Sequence, residues 1–133
     1  MARDKNCIFC KITGGEIPAE IIWESDTHMA FLDIYPLRKA QAVVMPKEHI
    51  HSSLYAMKDD DYSALMTAAK RTAERIEKSL GAERTMVVGE GLEIDHAHLK
   101  LYPRFEGDHG LVRGGPGADP EALKELGRKI RGV

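Results

Sequence analysis

The chain of 133 residues predicts an α+β domain built on a five-stranded antiparallel sheet with one long helix and short terminal helices. Three observations carry this. Short strand-like runs come first, one long helical run follows, and further strand-like runs come after it. The helical run repeats its apolar residues at helical spacing. The connections are short. The length suits one domain over residues 1–133, with 105–133 reading as a loop and a short helix rather than as part of the sheet.

The elements follow in order. Gly14-Gly15-Glu16-Ile17-Pro18 is a turn-rich break after the N-terminal segment. Glu20 to Glu24 and His28 to Ile34 read as strands joined by a Ser25-Asp26-Thr27 hairpin loop. Ala40 to Met45 is a third strand that ends at Pro46. Asp59 to Asp61 supply capping carboxylates for the long helix. Its apolar stripe is Tyr62, Leu65, Met66, Ala69, Ala73, Ile76 and Leu80. Glu74 and Lys78 form an i, i+4 pair on its wet face, and Gly81 ends it. Thr85 to Gly89 and Ala97 to Tyr102 are the last two strands. Gly107 to Gly117 carries five glycines and one proline and reads as a mobile loop. Asp119-Pro120-Glu121 then opens a short helix that runs to about Lys129. The expected packing sets the helices on one face of the sheet.

Composition excludes several classes. Apolar residues are 43% and charged residues 30%, as in a globular protein. The net charge of −2 gives no reason to expect bulk nucleic-acid binding. No run approaches the ~20 apolar residues of a membrane span. The start, MARDKNCIFC, lacks the apolar run of a secretory signal, so a cytoplasmic location is expected.

Two segments carry candidate chemistry. On a strand, His96, His98 and Lys100 share one face, and Ala97, Leu99 and Leu101 share the other. The second set would pack on the long helix, and the first would look onto a shallow groove. Imidazole is a nucleophile, a proton carrier and a metal ligand near neutral pH. An ammonium beside it favours anions such as phosphate. The other segment is Cys7-Ile8-Phe9-Cys10. Its spacing suits two thiolates on one tetrahedral zinc ion, which takes four ligands. A redox pair or two inert thiols are the alternatives, but the redox motif normally follows a strand, and none precedes it here. Among His28, His49, His51, His96, His98 and His109, His49 is the best third ligand, and spacing leaves the fourth open. Asp33, an acid at an otherwise apolar strand end, either caps a turn or accepts from ribose hydroxyls. Arg38 and Lys39 read as solvated surface.

The succession C-x-x-C, G-E-I-P, A-F-L-D-I, V-V-M-P-K-E-H-I, M-V-V-G-E-G and H-A-H-L-K-L-Y-P-R resembles the histidine triad (HIT) family from Cys7 to Arg104. The resemblance implies a small α+β fold. It also implies a homodimer paired through the long helix and a sheet strand. The implied activity is nucleotide hydrolysis or nucleotidyl transfer at the α-phosphate. His98 would be the nucleophile that forms a nucleotidyl-histidine, with Lys100 beside it. Asp33 would hold the ribose, and Phe31, Ile34, Gly91 and Lys100 would complete the nucleotide contacts. Structural zinc would sit on Cys7, Cys10, His49 and His96.

The sequence departs from the family pattern at four points. Lys100 stands where the family usually has the third histidine. Gly89 replaces an Asn, the loop before the triad is shortened, and Gly91-Leu92-Glu93-Ile94 replaces G-Q-[ST]-V. An ion pair between Glu93 and Lys100 would offset two of these changes in charge. The competing reading is a nucleotide-binding or protein-interaction module that keeps fold, zinc and dimer with weakened catalysis.

Overall fold

The register of the sheet decides which side chains meet. The computed structural model describes residues 2–110 and 114–132. Its strands are β1 (Ile21–Glu24), β2 (His28–Leu32), β3 (Ala42–Pro46), β4 (Arg84–Val88) and β5 (Leu99–Arg104). They form one antiparallel sheet in the order β1-β2-β3-β5-β4. Phe31 pairs with Val43, Val43 with Lys100, and Lys100 with Val88. These side chains therefore form one row on one face. Ala30, Val44 and Leu99 form the neighbouring row on the opposite face.

That opposite face is covered by α2 (Asp59–Leu80). Leu65, Ala69 and Ile76 of the helix join Ala30, Val44, Leu99 and Leu101 in the main core. Tyr62 and Leu80, at the two ends of the predicted stripe, stay exposed. Gly81 ends the helix at φ 73°, a left-handed conformation that suits glycine. Asp59, Asp60 and Asp61 lie inside the first turn, and Lys58 is the N-cap residue without a side-chain bond. The acids therefore act on the helix dipole rather than as caps. Glu74 bonds Arg71 at 3.2 Å in place of the expected Lys78. The two partners sit three residues apart, where helix geometry also brings side chains together.

The helices do not share one face. The Cys segment forms α1 (Ile8–Thr13), with Cys7 as its N-cap. Cys7, Phe9 and Cys10 pack with Phe31, Val43 and Met45 on the side away from α2. Alternation in β2 and β3 is apolar on both faces, so the sheet needs cover on both sides. The third strand begins at Ala42 rather than Ala40, because Ala40 adopts φ 64° and breaks the extended backbone. The last strand begins at Leu99 rather than Ala97, so His96 and His98 precede it.

The final helix, α3 (Pro120–Arg131), is capped by Asp119 and carries Pro at its start, as expected. None of its described residues is buried. The predicted loop from Gly107 to Gly117 includes residues 111–113, which lie outside the described residues. Among the described residues, no helix is long and apolar enough to cross a membrane.

Candidate active site and metal centre

Two polar centres share the α1 side of the sheet, divided by Phe9. Its ring meets the His96 ring edge-on at 5.7 Å and the His98 ring at 5.0 Å. The first centre gathers Cys7, Cys10, His49 and His96, whose ligand atoms lie within 4.8 Å of one another. α1 supplies both thiols from one turn. His49 follows β3, and its backbone N–H donates to the carbonyl of Ala2 at 2.7 Å. The Nε2–H of His96 donates to the carbonyl of Pro46 at 2.8 Å. That bond fixes the tautomer and turns the Nδ1 lone pair to the thiols, 3.4 Å from Cys7 Sγ and 3.5 Å from Cys10 Sγ. His49 Nδ1 lies 3.4 Å from Cys10 Sγ. Burial pushes the Cys10 thiol up and the His96 imidazole down, so these two groups favour their neutral forms without a cation.

This donor set fits a metal ion. Two sulfurs and two imidazole nitrogens in a largely buried cluster are what a tetrahedral zinc site takes. His96 has the outer hydrogen bond that orients such ligands. Four protein ligands would leave no open position on a tetrahedral ion held there.

The second centre is a pocket of about 470 Å³. Its floor is Phe31, Val43 and Lys100, the row set by the sheet register. One wall comes from α1 and the turn after it, with Ile8, Phe9, Ile12 and Ile17. Another comes from Asp33, Ile34 and Tyr35, and a third from residues 90–94. The sequence predicted a shallow groove; α1, placed over this face, makes it a pocket.

His98 is only 6% exposed and lines this pocket. Its Nδ1–H donates to the carbonyl of His96 at 2.6 Å. Nε2 therefore carries the lone pair. Burial, helped by the Lys100 charge, holds the imidazole below its usual range and keeps it neutral. His96 and His98 serve different centres although two residues apart, because each ring is tied to a different backbone carbonyl.

Asp33 is doubly held. Its Oδ1 accepts from the Tyr35 amide at 2.9 Å, which is the turn-capping role. Its Oδ2 accepts from Gln41 Nε2 at 2.8 Å. Lys100 Nζ lies 4.0 Å from the same oxygen. The partner of Lys100 is thus Asp33 and not Glu93. Asp33 stands two residues beyond Phe31, on the face that Lys100 shares. Glu93 lines the pocket from the 90–94 segment and makes no ion pair with Lys100.

Sequence reasoning missed two contributors to the site, Gln41 and Ser52. Gln41 is 3% exposed, and its Oε1 also accepts from the Leu37 amide at 2.7 Å. The signal was one polar residue opening an apolar strand. Ser52 was missed as the anchor of the 90–94 loop: its hydroxyl donates to the Gly91 carbonyl at 2.8 Å and its amide to Asp95 at 3.0 Å. Arg38 and Lys39 are not merely solvated. Arg38 donates to the carbonyls of Pro103 at 3.4 Å and His109 at 3.3 Å. Lys39 lies over the Phe105 ring at 5.0 Å. Gly89 has a local cause as well: a Cβ there would meet Leu54 Cδ1 at 2.1 Å, so Leu54 fills the space a side chain would need.

Comparison with known proteins adds to this geometry. A family model described as scavenger mRNA decapping enzyme C-term binding matches residues 6–101. An uncharacterised HIT-like protein of Methanocaldococcus jannaschii is 37% identical over 131 residues, covering 95% of this chain and 99% of that protein. An adenosine 5′-monophosphoramidase of Schizosaccharomyces pombe is 33% identical over 132 residues, covering 94% of this chain and 96% of that protein. The crystal structure of a HIT family member from Bacillus subtilis is similar with a TM-score of 0.76 and 30% identity, over 96% of each chain.

Proposed function

The chain belongs to the HIT family, and from that premise we propose that it binds nucleoside phosphates and transfers or hydrolyses the nucleotidyl group through His98. The observation that carries the proposal is the orientation of His98. A buried, neutral imidazole with Nδ1 tied to a carbonyl presents Nε2 to a pocket that also holds a lysine and a carboxylate.

The roles divide by chemistry. The apolar wall of Ile8, Phe9 and Ile12 takes the base. Asp33 takes the ribose hydroxyls, with Phe31 and Ile34 beside it, and Gly91 lets the loop backbone approach. Lys100 neutralises phosphoryl oxygen charge as it develops. A bond forms from Nε2 to the α-phosphorus as the bond to the leaving group breaks on the opposite side. An amine leaving group takes its proton from solvent. Water then attacks the same phosphorus and breaks the nitrogen–phosphorus bond. Nucleoside monophosphate and free His98 result. Splitting the displacement in this way replaces one hard step by two easier ones.

Cys7, Cys10, His49 and His96 would hold zinc, which clips α1 and its pocket wall to the chain that presents His98. A homodimer and a cytoplasmic location belong to the same proposal.

The test is to incubate the protein with an adenosine phosphoramidate labelled at phosphorus and quench in alkali, where the bond to imidazole survives. Label on His98 is expected. No label across adenylyl, guanylyl and uridylyl donors would leave the binding module as the better reading.

A further inference from the structure

A second, smaller cavity lies on the other face of the sheet. His28 and Ala30 alternate along β2 on the side that α2 covers, whereas Phe31 faces the His98 pocket. Between His28, the end of β3 and the first turns of α2 is a space of about 200 Å³. This is below the ~300–1,000 Å³ of ordinary ligand pockets and suits a group of side-chain size.

His28 is the built part of this cavity. It is 8% exposed, and its Nδ1 bonds the Thr27 hydroxyl at 2.8 Å. Its Nε2 has no partner among the described residues. The sealed side-chain polar atom without a partner there is Thr85 Oγ1, so Nε2 is open. The space it opens to is the cavity that His28 lines. The Thr27 hydroxyl can donate to Nδ1 or accept from it, and in the second arrangement Nε2 is a bare acceptor. Burial keeps the ring neutral, so it does not repel a cation.

Two carboxylates complete the lining. Asp61 stands in the first turn of α2, and Glu48 follows β3. Among the described residues, neither has an ion-pair partner. The rest of the wall includes the apolar Pro46, Ile50 and Ala64. A positive group fits this lining, and the spread of the acceptors says which kind. Among the described residues, only Cys7, Cys10, His49 and His96 bring three or more such ligand atoms within 4.8 Å of one another. A metal ion would have to draw His28, Glu48 and Asp61 together. A guanidinium carries five N–H donors in a planar fork and is weakly hydrated. It reaches separated acceptors and lies against apolar walls, which a compact, strongly hydrated ammonium does less well.

We propose that the cavity of His28, Glu48 and Asp61 binds a guanidinium group, carried by a free small molecule or by an arginine side chain of a partner. The proposal is independent of the chemistry at His98.

The test titrates the full-length protein with methylguanidinium, N-acetyl-arginine amide and N-acetyl-lysine amide, followed by nitrogen NMR. Saturable shifts at His28, Glu48 and Asp61 are expected, with a dissociation constant of about 1 mM for a guanidinium compound. The lysine compound should bind at least about fivefold more weakly. Glu48→Gln and Asp61→Asn should each weaken binding about tenfold. Asp59→Asn with Asp60→Asn removes charge from the same helix turn outside the cavity and should leave binding unchanged. N-acetyl-arginine amide bound about tenfold more tightly than methylguanidinium assigns the site to an arginine of a partner. Equal affinity assigns it to a free guanidinium compound. No saturable shift at His28, equal binding of the lysine compound, or binding that survives the Glu48→Gln, Asp61→Asn double variant would overturn the proposal.

Discussion

The Nδ1–H of His98 donates to the carbonyl oxygen of His96 at 2.6 Å. This bond joins the two centres, since the residue that gives the carbonyl is itself one of the four metal-type ligands. It sets the tautomer of the proposed nucleophile from the backbone of a proposed metal ligand. Nitrogen NMR of the folded protein should therefore show His98 protonated at Nδ1 and bare at Nε2. His98→Ala should lower turnover of an adenosine phosphoramidate by at least about a thousandfold. A loss of less than tenfold would remove His98 from the chemistry.

Gln41 is expected to position Asp33 rather than to touch substrate. Its side chain bonds the Asp33 carboxylate at 2.8 Å and receives the Leu37 amide at 2.7 Å. Gln41→Ala leaves both groups short of a partner, at a stability cost of about 1–3 kcal/mol. It should also raise KM by about tenfold with a smaller change in kcat, because Asp33 is no longer held for the ribose. The readout that a purely structural role would not move is the sugar. With a 2′,3′-dideoxy substrate the effect of Gln41→Ala on KM should largely vanish. An equal effect on both substrates would count against positioning.

Much of this was legible in the sequence, for reasons that differ by element. The Ala97, Leu99 and Leu101 face was readable because strand alternation is strict, and all three lie in the core with α2. The 22-residue helix was readable because its apolar period and its Gly81 end agree. The four-residue metal cluster came from family resemblance, since spacing alone left its fourth ligand open. What stayed hidden depended on the backbone. Ala40 in the left-handed region shortens β3, and no residue type announces it. The partner of Lys100 was misread because charge complementarity names a plausible acid but not its distance. Sheet register brings Asp33, two residues beyond Phe31, within 4.0 Å of Lys100 instead. The second sheet face needed cover, which the runs in β2 and β3 signalled. That the short Cys segment supplies it is a tertiary fact.

The metal cluster predicts a linked loss of ion and stability. Cys7 Sγ lies 3.4 Å from His96 Nδ1 and also accepts from the Cys10 amide at the start of α1. The purified protein is expected to hold about one zinc per chain. Cys7→Ser should bring zinc well below one equivalent and lower Tm by at least about 5 °C. It should also weaken nucleotide binding, because α1 forms the apolar wall of the pocket. Full zinc content in Cys7→Ser, or an unchanged Tm, would exclude the four-ligand site.

His28 predicts a pH dependence separate from both centres. It is buried at the start of β2, with Nδ1 bonded to Thr27 Oγ1 at 2.8 Å. Glu48 and Asp61 line the small cavity beside it. Burial holds its imidazole below the usual range, against a smaller raising effect of Asp61. The folded state therefore binds the proton less well than the unfolded chain, where histidine titrates near ~6.5. Stability from this group is present above that value and is lost as pH falls from about 6.5 towards the lowered folded value. Urea midpoints between about pH 7.5 and 5.5 should fall for the wild type and fall less for His28→Gln, at equal zinc content. Equal slopes in the two proteins would show that His28 carries no proton linkage, and a steeper fall in the variant would reverse the sign argued here.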